Sequence, residues 1–522
     1  MFQNSWNLSF TEWNSSDSVF YHDNIPGILK ESRTRSFSDA SENEKEIISE
    51  EEFNSSPIRW IFKWFQGQRS AQKFLYCLGV FGLILIMMAS VLVISDNISE
   101  ASQTNHNFDF DFAATKRPGN DNLERLDSSS SPTQAPTSSP SIVTPLTYVP
   151  GNLTTLKFGL MLSEGLDTRI VALSHEAVNL VGERLSEHRF HGLPDAGATF
   201  PDNREENKGG WIYVSNSEID KGKGGVGALT FNKNGEILDY RYLLKDTTMN
   251  CGGGKTPWNT WVSCEEYKDG QIYQVDPLGE REPQVMTMGS NGGQWESFAF
   301  DIRNKQNPSF FVTEDARQGA MLRFIPDSPD WSKPWEMLHG NGTIDYLMLV
   351  PNATNDGGMF TWTTDEREAK MNAAKYYPFS EGIDVSGNTL FFVCKTIKML
   401  FVLDLDVGSY YRQTTTHGLF DGQPDQVKTL ITPTKELLYF TEEAGENPGI
   451  HGRDSLGNYF TVAESHSYQD ETTGLAFSPD GMFMYVAYQG TGILFAMWRK
   501  DNLPFNAAHL DIKYHSSLEA NS

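Results

Sequence analysis

Asn250 to Tyr267 reads NCGGGKTPWNTWVSCEEY, and metal chemistry is most legible there. Three glycines after Cys251 allow backbone conformations with φ > 0 and a close approach to a ligand. Pro257 and Trp258 stiffen the return of the chain. Cys264, Glu265 and Glu266 then supply one soft and two hard ligands. A cysteine beside carboxylates suits a transition metal such as iron next to calcium. The spacing matches no standard zinc pattern.

Other carboxyls recur at comparable places. Glu296 lies two residues before Phe298, Glu381 two before Ile383, and Glu471 slightly further back from Leu475. Two residues beyond an apolar anchor, in six similar runs, come Asn216, Cys264, Glu314, Lys395, Glu442 and Tyr488. Asp315, Glu265, Glu266 and Glu443 are adjacent to members of that set. Taken singly, each carboxyl reads as a solvated turn residue. If they converge, like charges at close range must raise their pKa values or hold a cation between them. Carboxylate and carbonyl ligation suits calcium.

The elements that must position these groups are β-strands. The six runs are WIYVSNSE, TWVSCEE, FFVTEDA, LFFVCKT, LYFTEEA and MYVAYQG. Their anchors are Val214, Val262, Val312, Val393, Phe440 and Val486, at intervals of 48, 50, 81, 47 and 46 residues. Four of these intervals match the length of a propeller blade, roughly 40–50 residues. The long one holds an insertion, about Pro326 to Tyr377, whose DEREAKMNAAK segment reads as helical. Phe298–Asp301, Ile383–Ser386 and Leu475–Ser478 form a strand before the anchor strand, and GAMLRFI, MLFVLDL and GILFAMW a strand after it. The expected fold is all-β, a six-bladed β-propeller over residues 147–515. In that fold the innermost strands line a central channel, and their ends meet at one mouth.

At this point the chain resembles the PhoX-type alkaline phosphatase family, whose bacterial members carry an NCxGGxTPWxTWxxCEE motif. The likeness continues through FFVTEDARQGAMLRF, SEGIDVSGNTLFF, GIHGRDSLGNYFT and ETTGLAFSPDGMFMYVAYQG, and covers about Leu160 to Arg499. It implies a six-bladed propeller with iron and calcium at the channel mouth, hydrolysing phosphomonoesters. Residue by residue, the resemblance makes Cys251 and Glu265 or Glu266 metal ligands. Glu296, Glu314, Asp315 and Glu381 match further acidic positions, and Glu442 joins them as a strand-end candidate. Two departures stand out. The histidine usual before Glu296 is Trp295, and the arginine of the family's Arg-Pro-Glu segment is absent, since Phe379 and Ser380 precede Glu381. An arginine there would clamp phosphoryl oxygens as charge shifts in the transition state. Lys395, Arg317 and Arg453 are the candidates to replace it. Glu381 and Lys395 are therefore the expected catalytic residues.

The remaining chain expects a membrane. Phe74 to Ile94 is 21 residues without a charge, which as a helix spans about 30 Å. Arg59, Lys63, Arg69 and Lys73 precede it, while Asp96 and Glu100 follow. The positive-inside rule then places the N-terminus in the cytosol, as in a type II signal anchor, with the C-terminal domain luminal or extracellular. Residues 1–73, rich in Ser, Glu and Asp, read as a disordered tail. Residues 95–146, centred on SSSSPTQAPTSSPS, read as a Ser/Thr/Pro stalk. Sequons stand at Asn97, Asn152, Asn341 and Asn352 on the expected outer side. Cys77 lies in the span, leaving Cys251, Cys264 and Cys394, three that cannot all pair with one another.

The 42 Lys+Arg against 68 Asp+Glu give a net charge of −26, which repels phosphate backbones and excludes nucleic-acid binding through a basic face. Two functions fit. One is a membrane-anchored, metal-dependent ectoenzyme acting on a small phosphorylated substrate. The other is a non-catalytic, calcium-stabilised propeller for surface recognition or adhesion. Lactonase-like esterase chemistry is a third.

Overall fold

The computed structural model describes residues 153–507 apart from 154, 433–435, 444 and 446, together with the strands Val149–Pro150 and Lys513–Tyr514. The tail, the span 74–94 and the stalk lie outside the described residues. Among the described residues no helix is long and apolar enough to cross a membrane. The sequons Asn97 and Asn152 also fall outside. Asn341 and Asn352 are exposed.

The strands resolve into successive antiparallel meanders of four, designated I to VI. Their first strands are Pro194–Asp202, Asn250–Lys255, Gly293–Asp301, Ser380–Ser386, Gln423–Ile431 and Thr472–Phe477. Their second strands are Gly210–Ser217, Trp261–Tyr267, Ser309–Glu314, Thr389–Cys394, Glu436–Glu443 and Phe483–Tyr488. All six anchor runs thus form the second strand of a meander. Each first strand packs beside the first strands of the meanders flanking it, and that of VI adjoins that of I, so the ring closes.

Closure comes from the N-terminal side. Leu166–Leu173 pairs antiparallel with Ile493–Arg499 and supplies the fourth strand of meander VI. The insertion after meander III is ordered. Gly357–Thr363 bridges the edge of III to Ser409–Thr414 of IV, and helix α1 (Glu366–Tyr376) follows, capped by Asp365, whose side chain accepts from Glu368 N.

The core lies between adjacent meanders. Trp211, Phe231 and Tyr485 join I to VI, with Trp211 stacked on Phe231 at 5.5 Å and donating from Nε1 to Tyr485 Oη at 3.0 Å. Phe391, Val393 and Phe440 do the same between IV and V. Burying each such side chain is worth about 1.5–3 kcal/mol. These apolar seams hold apart a polar centre that the fold must otherwise satisfy.

Candidate metal centre

One irregularity recurs in every first strand. The register to the second strand shifts between Pro194 and Gly197, Asn250 and Gly253, Trp295 and Phe298, Ser380 and Ile383, Pro424 and Val427, and Thr473 and Ala476. Each is a β-bulge, which inserts a residue, bends the strand and re-aims a side chain. The first residue inside the six bulges is Asp195, Cys251, Glu296, Glu381, Asp425 and Gly474. Five meanders therefore send a potential ligand from the same place in the fold. In VI the place is empty of side chain, because Gly474 has φ +68° and an added Cβ would meet Tyr213 Oη at 2.5 Å. Glu471, just before that strand, fills the gap beside Asp195 and Asp425.

A second set comes from the ends of the second strands, one residue past the pair that precedes each bulge. These are Glu218, Glu266, Asp315, Lys395 and Glu443. In VI the position falls to Tyr488, whose hydroxyl turns to the Pro448 carbonyl, and the next residue, Gln489, donates to Glu218 Oε2 at 2.8 Å.

The two sets meet. Ligand atoms of Asp195, Glu218 and Cys251 lie within 4.8 Å of one another. The same holds for Cys251, Glu266 and Glu296, for Asp195, Asp425 and Glu471, and for Glu296, Glu381 and Asp425. Cys251 Sγ stands 2.9 Å from Glu296 Oε2. Lys395 Nζ reaches Asp315 Oδ2 at 2.7 Å, Glu381 Oε1 at 2.9 Å and Glu443 Oε2 at 3.3 Å.

Electrostatics follow from burial and crowding. Burial, then Asp195, pushes Glu218 up to about 8. Burial, then Asp315, pushes Glu266 up to about 9. Glu296, Glu381, Asp425 and Glu471 rise well above the carboxylate range, first from burial and then from a neighbouring carboxylate: Asp425 for Glu296, Glu296 for Glu381, Asp195 for Asp425 and Asp425 for Glu471. The Cys251 thiol rises for the same reasons, burial first, then Asp195 and Glu296. Burial works against the Lys395 ammonium, but Glu381, Asp315 and Glu443 more than offset it.

Such a set fits bound cations. Buried carboxyls in excess must take up protons or share positive ions. Asp315 Oδ1 is buried without a hydrogen-bond partner, and Glu381 Oε1 makes no aligned hydrogen bond although Lys395 Nζ stands 2.9 Å away. The donors are hard oxygens with one soft sulfur, which suits calcium together with a metal that tolerates thiolate.

The triple glycine acts differently from expectation. Gly252, Gly253 and Gly254 lie in a strand and are absent from the positive-φ positions, so close approach is their whole purpose. A Cβ on Gly252 would meet Glu296 O and Oε1 at 2.3 Å, and one on Gly254 would meet Phe298 O at 2.0 Å. Without side chains, strand Asn250–Lys255 can lie against strand Gly293–Asp301. Asn216 fixes the bulge, donating from Nδ2 to the Cys251 and Gly252 carbonyls at 2.8 and 2.7 Å.

Cys251, Glu266, Glu296, Asp315, Glu381 and Lys395 thus converge as the sequence suggests. Three expected ligands do not. Glu265 accepts from Thr248 N at 2.7 Å and Gln271 N at 2.8 Å, and serves as a backbone clamp. Glu314 faces Lys370 and Glu366 of α1. Glu442 accepts from Asp421 N at 3.1 Å, Gly449 N at 2.9 Å and His451 Nε2 at 2.9 Å, all within meander V. Asp195, Glu218 and Asp425 also join the cluster, though no local motif of the sequence marks them. The bulge register would have found them, since Asp195 and Asp425 each follow a proline as Glu296 follows Trp295. Of the candidate cations, Arg453 is spent on Gln413 Oε1 at 3.0 Å, and Arg317 is exposed.

Residues 239–381 match the family model described as Alkaline phosphatase PhoX, which bears out the resemblance read from the sequence. No curated protein matches the sequence. Among solved structures, the chain is similar to Pseudomonas fluorescens PhoX in complex with vanadate, a transition-state analogue. The identity is 12% and the TM-score 0.54, covering 70% of this chain and all of that one. That likeness shows a shared fold. Looser matches are a protein of unknown function from Bacteroides thetaiotaomicron (9% identity, 64% of this chain and 76% of that one, TM-score 0.40) and a Xanthomonas campestris gluconolactonase (13%, 65% and 97%, 0.34). Neither superposes closely enough to bear on function.

Proposed function

We propose that the chain is a membrane-anchored, metal-dependent phosphatase-like ectoenzyme that hydrolyses phosphomonoesters at an iron and calcium site. Meanders I to VI are read as the blades of a six-bladed propeller, with the site at one mouth of its channel. The observation that carries this is the alignment of Asp195, Cys251, Glu296, Glu381 and Asp425 at equivalent bulges. Five strands bent alike toward one point are costly unless something is held there.

Cys251, Glu266, Glu296 and Glu381, joined by Asp195, Glu218, Asp425 and Glu471, would hold the ions. Bound there, calcium and iron would supply positive charge to phosphoryl oxygens as the bond to the leaving group lengthens. Lys395, 19% exposed, stands at the rim where an incoming phosphate would first meet a protein cation. Glu381 is the carboxyl next to it, placed to orient that ammonium and to exchange a proton with the leaving oxygen. The apolar span 74–94 and the basic residues before it support a type II anchor with this domain outside the cytosol. Sugars on the exposed Asn341 and Asn352 would agree with that topology.

Metal analysis of the purified protein, with p-nitrophenyl phosphate as substrate, tests the reading. Iron with calcium and turnover upholds it. Calcium alone without turnover transfers the case to a calcium-stabilised recognition propeller. One observation favours that second reading: no arginine precedes Glu381, and Lys395 already engages three carboxylates.

A further inference from the structure

Lys395 occupies a place that four of the other five meanders give to an acid. The corresponding residues at the ends of the second strands of I, II, III and V are Glu218, Glu266, Asp315 and Glu443. In IV alone the residue after the Ser380–Cys394 pair is a cation. Its ammonium contacts Asp315 of III, Glu381 of IV and Glu443 of V, at 2.7, 2.9 and 3.3 Å. Three oxygens from three meanders around one positive centre make part of the oxygen shell a hard metal ion takes, at distances wider than the calcium–oxygen range of about 2.3–2.6 Å by up to ~0.7 Å.

The acid groups close enough to share an ion are distributed to match. They involve Asp195, Glu218, Cys251, Glu266, Glu296, Asp425 and Glu471, and of the lysine's three carboxylates they include Glu381 alone, although Glu266 and Asp315 also neighbour each other. Asp315 and Glu443 enter none of them. Asp315 Oδ1 remains buried without a hydrogen-bond partner on the lysine's flank. The soft sulfur of Cys251 belongs to groups that contain none of the lysine's three carboxylates.

We propose that Lys395 is a tethered counter-ion standing where a divalent cation would otherwise bind, so that the Asp315–Glu381–Glu443 flank is neutralised by the chain itself. Removing the ammonium would expose an all-oxygen site of the class calcium prefers. The inference rests on the cation-binding part of the proposed function, and it is independent of turnover.

The test is a count of calcium per chain, by elemental analysis and calorimetric titration of the detergent-purified full chain. Lys395→Ala is expected to bind one calcium more than the wild type, and its thermal midpoint to rise more steeply with calcium. Lys395→Arg keeps the wild-type count. Glu443→Gln also keeps it, because Glu443 is committed to the lysine. A Lys395→Ala protein with the wild-type count overturns the proposal, and so does a Glu443→Gln protein that loses an ion. Should Lys395→Ala fold only in calcium, that recovery with the extra ion supports it. Failure to fold even with calcium in excess overturns it. Absence of phosphatase activity with this pattern of counts would sink the enzymatic reading and leave the counter-ion standing.

Discussion

Cys251 Sγ and Glu296 Oε2 stand 2.9 Å apart, each the first residue of a bulge in neighbouring first strands. The bulges bring the two together, since an inserted residue bends its strand and re-aims a side chain. Gly252 makes the meeting possible by leaving room for the Glu296 backbone. The pair ties the sulfur to the carboxyl set and is the point at which sequence motif and fold coincide.

Gly252→Ala should therefore be damaging. Its Cβ would overlap Glu296 O and Oε1, backbone and buried side chain both, so the strands must separate. A loss of about 3 kcal/mol in stability is expected, together with a lower metal content. Urea unfolding and elemental analysis check it; a variant of wild-type stability would show that the two strands can yield.

Removing metal should lower the thermal midpoint by several degrees. Ions held by the native state alone stabilise it by mass action, and their loss leaves the buried carboxyls to repel one another or protonate. Differential scanning calorimetry before and after chelation, with calcium added back, is the measurement. An unchanged midpoint after verified removal would contradict a structural contribution from the ions.

Glu265 and Glu266 should separate cleanly. Glu265→Ala strips two backbone amides, of Thr248 and Gln271, of their acceptor, at a cost of about 1–3 kcal/mol for each amide left buried, with metal content kept. Glu266→Gln should keep the stability of the chelated protein and reduce bound metal. Equal effects of both on metal content would refute the assignment of Glu265 as a clamp.

Acid should destabilise the protein partly through His191. This buried imidazole bonds to Tyr240 Oη and Ser215 Oγ at 3.0 Å each, and burial pushes its pKa down to about 3. The unfolded chain, with histidine near 6.5, takes up the proton first on acidification. Its contribution is thus complete above about 6.5 and is lost as pH falls toward 3. His191→Gln should show a shallower decline of thermal midpoint across that window than the wild type. Parallel curves would remove His191 from the account.

How far the sequence could be read depended on which interactions are local. The second strands are runs around Val214, Val262, Val312, Val393, Phe440 and Val486, and local alternation and turns reveal them. The distance from anchor to mouth is not local, because it depends on where each bulge falls. The residue paired just before the bulge is Ser217, three past Val214, but Cys394, one past Val393. A constant offset of two therefore selected Glu314 and Glu442, which face α1 and meander V, and passed over Glu218. Glu265 differs from the expectation for another reason: with adjacent residues alternating in direction, only Glu266 of the acidic pair joins the cluster. The closing strand Leu166–Leu173 carries no local sign of its partner Ile493–Arg499, which lies at the other end of the domain.

That closing strand also makes the link toward the expected anchor and the fastener of the ring a single stretch of chain. A protease cutting ahead of Leu160 would part the domain from the chain before it, with the sealing strand in place. One cutting just after Leu173 would leave the sealing strand held only by its pairing, and its loss would leave Ile493–Arg499 as a bare hydrogen-bonding edge, ready to pair with another chain. Separation of the domain from the preceding chain and unsealing of the ring are thus set by cuts close together in the chain.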